Sequence, residues 1–198
     1  MSEKTPLYTR AAIKSTASGL VLMTFFTVLW AVIAFNGIKG RDYWITTVIF
    51  AALSVWFVSA AIHLFGVVKQ LPNAILDKDS GARRNQKWFW IIFVAEGIGV
   101  LLAINIAINL NQPNVIIPAI AMVVGLHFYP LGWVFNRTID FYLATWSTLV
   151  AVLAIVFAIN KTISDNDIYA FTGTGLAIAT SSYGVFMVTE GNRLEKTL

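Results

Sequence analysis

The chain has 198 residues, 58% of them hydrophobic and only 12% charged, with a net charge of +4 and no cysteine. Soluble domains carry about twice that share of charge, so the composition excludes an ordinary soluble domain and points to the membrane class. Disulfides, thiolate catalysis and cysteine metal sites are excluded as well, and the basic residues lie in short segments between apolar runs rather than in a nucleic-acid-binding stripe.

Six apolar runs are long enough to cross a bilayer, which takes about 20 helical residues. They span about 17–35, 44–68, 88–109, 115–134, 141–159 and 168–188. The first follows a basic start (Lys4, Arg10, Lys14), as a signal peptide would. It is longer than a signal core and no small-x-small cleavage site follows, so it reads as a retained span. None of the runs alternates as a membrane strand does. With no water in the hydrocarbon to satisfy the backbone, each run is expected to be a helix. The fold class is therefore all-α: a polytopic membrane bundle of six transmembrane helices forming one domain, 1–198.

Lys and Arg set the orientation. Eleven lie before the first span, in the second and fourth loops and in the tail; three (Lys39, Arg41, Lys161) lie on the other side. This places both termini in the cytoplasm and the protein in the plasma membrane, the inner membrane of a bacterium. The longest connection, 69–87, reads as a solvated basic loop, with a short interfacial helix near 71–76 as the alternative. Trp44, Trp88, Trp90 and Trp133 fall at the expected interfaces, where tryptophan anchors a helix. Three helical hairpins also hint at a repeat: Asn36, Asn109 and Asn160 end the outward helices, and His63, His127 and Tyr183 recur on the returning ones.

The chemistry lies inside the spans. Glu96 is nine residues past Lys87, about 13 Å along a helix axis, and His127 is ten residues before Arg137, about 15 Å. The two are thus level. Counted the same way, Thr24, Ser147 and Tyr183 join them in one polar layer, with His63 nearer the surface. An acid and an imidazole in hydrocarbon are costly, so they are expected to meet or to line a cavity. The functional reading is a proton relay or coupling site. The structural one is a neutral helix clasp, worth about 1 kcal/mol per hydrogen bond. Two histidines and a glutamate are metal-capable types, but they form no local metal-ligand pattern, and no metal or other cofactor is assigned.

Pro130 follows His127 by three and removes a backbone bond to Leu126. This either kinks the helix or opens it beside the polar site. Small residues recur every four positions in the sixth span (Gly173, Ala177, Ser181) and the third (Ala95, Gly99, Ala103). They fit tight packing within the bundle, with a homo-oligomer face as the alternative.

The string Gly125-Leu-His-Phe-Tyr-Pro-Leu131 resembles a motif of small uncharacterised bacterial six-span membrane proteins. That resemblance implies a six-span fold and carries no activity with it. The residues themselves leave three readings. The first is a transporter or channel-like protein for a small solute or proton, with Glu96 exchanging the proton and His127 orienting it. The second is an intramembrane enzyme acting on a lipid or isoprenoid. The third is a scaffold or sensor subunit. The enzyme needs a long apolar cavity open sideways to the bilayer, and the scaffold needs no void beside the pair.

Overall fold

The computed structural model describes residues 5–39, 44–71 and 80–198. Six helices follow one another: α1 (Thr5–Ile38), α2 (Trp44–Gln70), α3 (Ser80–Asn109), α4 (Ile116–Phe135), α5 (Thr138–Asn160) and α6 (Asp165–Glu195). A single 3₁₀ turn, Pro113–Val115, precedes α4. All six helices are long and apolar enough to cross a membrane. The fold is the expected all-α six-helix membrane bundle, a multi-pass membrane protein.

The helices outrun the apolar stretches that announce them. Helix α3 starts at Ser80 and so absorbs Arg83, Arg84 and Lys87, which the sequence placed in a loop. Helix α5 starts at Thr138 and takes in Asp140. A helix satisfies its own backbone on either side of the hydrocarbon boundary, whereas hydropathy marks only the apolar part. Of the alternative helix at 71–76, Leu71 is a bend and the rest lies outside the described residues.

Helix α6 is the centre of the bundle. It is the least apolar of the six spans and the most enclosed: 67% of its span window is buried, against 11% for α3, the most apolar span. The inversion follows from the solvent. Lipid tails demand apolar side chains outside, while the interior rewards small residues that let backbones approach. The Ala, Gly, Ser and Thr residues of α6 meet that need, chiefly against α1. Gly173 lies on the backbone of Ala34 and Trp30, and Gly37 on that of Ala170 and Asn166. Between them the Thr27 hydroxyl donates to that of Thr180 at 3.0 Å. Towards the chain ends Gly19 faces Met187. Each step forward along α1 is matched by a step back along α6, so the two are antiparallel in one register.

Around this axis α2 packs on α1, while α5 packs on α6 and α4. The Trp146 indole donates to the Gly175 carbonyl at 2.9 Å and ties α5 to α6. Helix α3 is peripheral. Among the described residues its packing partners are α4 and the 3₁₀ turn. The three hairpins thus occupy unlike positions. Asn36 and Asn109 each donate to a carbonyl four residues back in their own helix, a local bond that needs no repeat.

Candidate functional site

Glu96 and His127 meet. Their closest atoms, Oε1 and Nδ1, are 3.4 Å apart, with the side chains 9% and 15% exposed. Helices α3 and α4 are antiparallel: Gly99 lies against Val123, and the rings of Phe89 and Phe135 are 6.4 Å apart edge to face. That register puts residues 96 and 127 at one height, as counting along the chain predicts. The contact is not an aligned hydrogen bond, for His127 Nδ1 is buried without a partner of good geometry. At 3.4 Å the pair is loose enough to accept a third group.

A cavity of about 840 Å³ adjoins the pair, bounded by α1, α3, α4 and α6. Helix α1 contributes a helical stripe from Lys14 through Ser18 and Leu22 to Phe26. Helix α3 contributes Asn85, Gln86, Phe89, Phe93 and Glu96; helix α4 adds Val124, His127, Phe128 and Leu131. Thr180, Tyr183 and Met187 of α6 form the back. From Lys14 to Phe26 the wall runs twelve residues, about 18 Å of helix. The cavity therefore occupies the half of the bundle nearest the start of α1 and the end of α6. Among the described residues α1 and α3 flank it with no extensive packing on each other, so that side lacks a helix–helix seam.

Of the residues expected in the polar layer, Glu96, His127 and Tyr183 share this cavity. The others do not line it. The Thr24 hydroxyl donates to its own helix at Leu20, 2.8 Å away. Ser147 is fully buried in the α4–α5 contact beside Gly125. Pro130 sits within α4, which continues through it. His63 is furthest from expectation. Its side chain is 59% exposed, and Nε2 bonds both Glu195 carboxylate oxygens at 3.1 and 3.0 Å, clasping α2 to the end of α6. Equal depth does not fix which way a side chain faces, and these residues face neighbouring helices or the surroundings.

Other residues of the site were read differently from the sequence. Arg137, counted there as a topology charge, lines the cavity; its Nη1 donates to the Tyr183 hydroxyl at 2.9 Å. Its guanidinium lies 4.5 Å from the centre of the Phe135 ring, and its Nε is 3.7 Å from Asp140, whose side chain is 1% exposed. Asp140 sits in the first turn of α5, where the helix dipole favours an acid. The Arg-x-x-Asp spacing across a helix start was the available signal. Trp90, expected only as an interface anchor, also belongs to the wall.

Asp140→Asn is expected to cost about 2 kcal/mol, because Arg137 would lose its buried counter-charge while keeping partial access to water. Thermal unfolding in detergent checks this, and Tyr183→Phe should cost about 1 kcal/mol by the same measurement.

Glu96 and His127 offer two metal-capable groups, short of the three or four that a metal centre uses. Among the described residues no group of three or more such side chains stands together. Comparison of the chain with protein-family models, curated proteins and solved structures finds no match.

Proposed function

We propose that this membrane protein admits a membrane-borne amphiphile through the gap between α1 and α3 into a cavity that ends on Glu96 and His127, where the pair takes up and releases a proton. The observation that carries the reading is the cavity itself. It is long, largely apolar, flanked by two helices that form no extensive seam among the described residues, and it ends on the acid–histidine pair. An imidazole and a carboxyl in contact are suited to general acid–base work at neutral pH. With both termini cytoplasmic, as the excess of Lys and Arg supports, the cavity faces the cytoplasmic leaflet of the plasma membrane.

A scaffold would need no void beside the pair, so the cavity weighs against that reading. Transport is the second reading, supported by the same pair on a cavity wall. The other half of the bundle, around Gly37, Gly173 and Ala170, is packed backbone to backbone. Such packing suits access from one side at a time rather than an open channel.

The experiment is photo-capture. A phospholipid bearing a diazirine near the middle of its acyl chain is reconstituted with the protein and irradiated, and adducts are mapped by mass spectrometry. Adducts on Leu22, Phe93 and Val124 are expected. A bismaleimide bridge between cysteines at Ser18 and Phe93 should suppress them, a design made simple by the absence of native cysteine. Adducts confined to outward-facing residues such as Leu101 and Val55 would overturn the proposal.

A further inference from the structure

The cavity is asymmetric in charge along its length, and that asymmetry bears on what enters it. Its deeper part is apolar and aromatic apart from Ser18, Glu96, His127 and Thr180. Nearer the chain ends its wall carries Lys14, Ser15, Asn85, Gln86 and Arg137. Lys14 lies on the stripe of α1 that faces the cavity; the side chains following it there are Ser18, Leu22 and Phe26. Arg137 is held in place by three contacts: the Tyr183 hydroxyl at 2.9 Å, Asp140 at 3.7 Å and the Phe135 ring at 4.5 Å. A guanidinium has five N–H donors in a rigid fork. Tyr183 and Asp140 engage part of that fork, and the rest belongs to a side chain that lines the cavity. Among the described residues the acid on this wall is Glu96, deeper in, while Asp140 lies behind Arg137 and is not part of the wall. The lower wall therefore presents two cations and two amide side chains, with its nearest acid turned to the arginine.

We infer that Arg137 and Lys14, with Asn85 and Gln86, form a seat for the phosphate-ester headgroup of a membrane lipid, whose chain occupies the apolar depth below Glu96 and His127. This rests on the proposed function above and names its substrate class. Arginine binds phosphate through paired parallel hydrogen bonds, while lysine adds a mobile point charge. Amide N–H groups complete the shell of acceptor oxygens. The N–H groups of Arg137 that Tyr183 and Asp140 do not engage remain for the anion. The chain behind it replaces water against Phe89, Phe93 and Leu131.

Dodecyl phosphate, dodecanol, dodecyltrimethylammonium and inorganic phosphate serve as probes. Each is titrated into the full-length protein in a non-ionic detergent, with bound probe counted by native mass spectrometry. Dodecyl phosphate is expected to bind at least tenfold more tightly than dodecanol or the ammonium probe, and inorganic phosphate should not displace it. Lys14→Gln and Arg137→Gln should each weaken dodecyl phosphate at least tenfold and leave dodecanol unchanged. Lys161→Gln, at the far end of the bundle, should change neither. Because Arg137 also braces Asp140, Lys14→Gln decides the matter if the Arg137 variant misfolds. Equal binding of dodecanol and dodecyl phosphate would overturn the headgroup seat and leave the amphiphile cavity standing. Displacement by inorganic phosphate at equal concentration would overturn the lipid source. Binding of no alkyl probe would overturn the cavity reading as well.

Discussion

Gly173→Leu is expected to abolish the stable bundle, with a loss of about 4 kcal/mol or more. A Cβ at 173 would lie against the backbone nitrogen of Ala34 and 2.8 Å from the Trp30 carbonyl oxygen. A side chain tip can turn aside, but two backbones can only move apart. Separating α1 from α6 would also break the Thr27–Thr180 bond and unseat Gly37 from Ala170, since all belong to one register. In lipid no hydrophobic term drives the helices back together, so lost packing is not recovered. The comparison is internal. Gly66 and Gly97 have nothing within 4 Å of the added atom. Alanine at either should be neutral or stabilise by about 0.5–1 kcal/mol, through a better helix propensity. Thermal unfolding in detergent, followed by tryptophan fluorescence, separates the three. A folded Gly173→Leu protein with a wild-type midpoint would show that α1 and α6 do not approach as described.

Glu96→Gln carries the second large effect, on function and not on folding. Glutamine has the same shape, fits beside His127 in the same way, and puts no charge in the span, so stability should change by less than about 1 kcal/mol. What it cannot do is give up or take a proton. If Glu96 and His127 take up and release a proton as the amphiphile binds, the step should slow by about 10²–10⁴-fold. His127→Gln should fall in the same range. Their double variant should be little worse than either, because two groups that act as a unit are not additive. The readout is amphiphile-dependent proton movement in proteoliposomes carrying a pH-sensitive dye, with photo-capture as the control for binding. Wild-type proton movement in Glu96→Gln would remove the carboxyl from the mechanism and leave the cavity as a binding site alone.

Depth was legible in the sequence and direction was not. Nine residues from Lys87 and ten from Arg137 placed Glu96 and His127 at one height, and the α3–α4 register brings them to 3.4 Å. The same counting put Thr24 and Ser147 in that layer, yet Thr24 bonds back to its own helix and Ser147 is buried between α4 and α5. A rise of 1.5 Å per residue gives height directly. Azimuth depends on which helices are neighbours, and apolar runs do not record that. His63 shows the cost: its partner Glu195 lies in what read as a tail, and only the packing of α2 beside α6 joins them. Asp140 was hidden because the fifth apolar run begins just after it, and hydropathy gives no sign that an acid outside the run is buried. The central place of α6 was half visible in its small-residue stripe, whose meaning depended on the closeness of α1.

The most direct measurement is the reaction of Glu96 with a hydrophobic carbodiimide delivered through the bilayer, mapped by mass spectrometry on the reconstituted protein. Such a reagent modifies a protonated carboxyl that it can reach from lipid. Glu96 should be modified ahead of every other acid, and dodecyl phosphate or the Ser18–Phe93 bridge should protect it. A Glu96 that stays unmodified until the protein is unfolded, while Glu190 and Glu195 react, would contradict a lipid-accessible cavity ending on the acid–histidine pair.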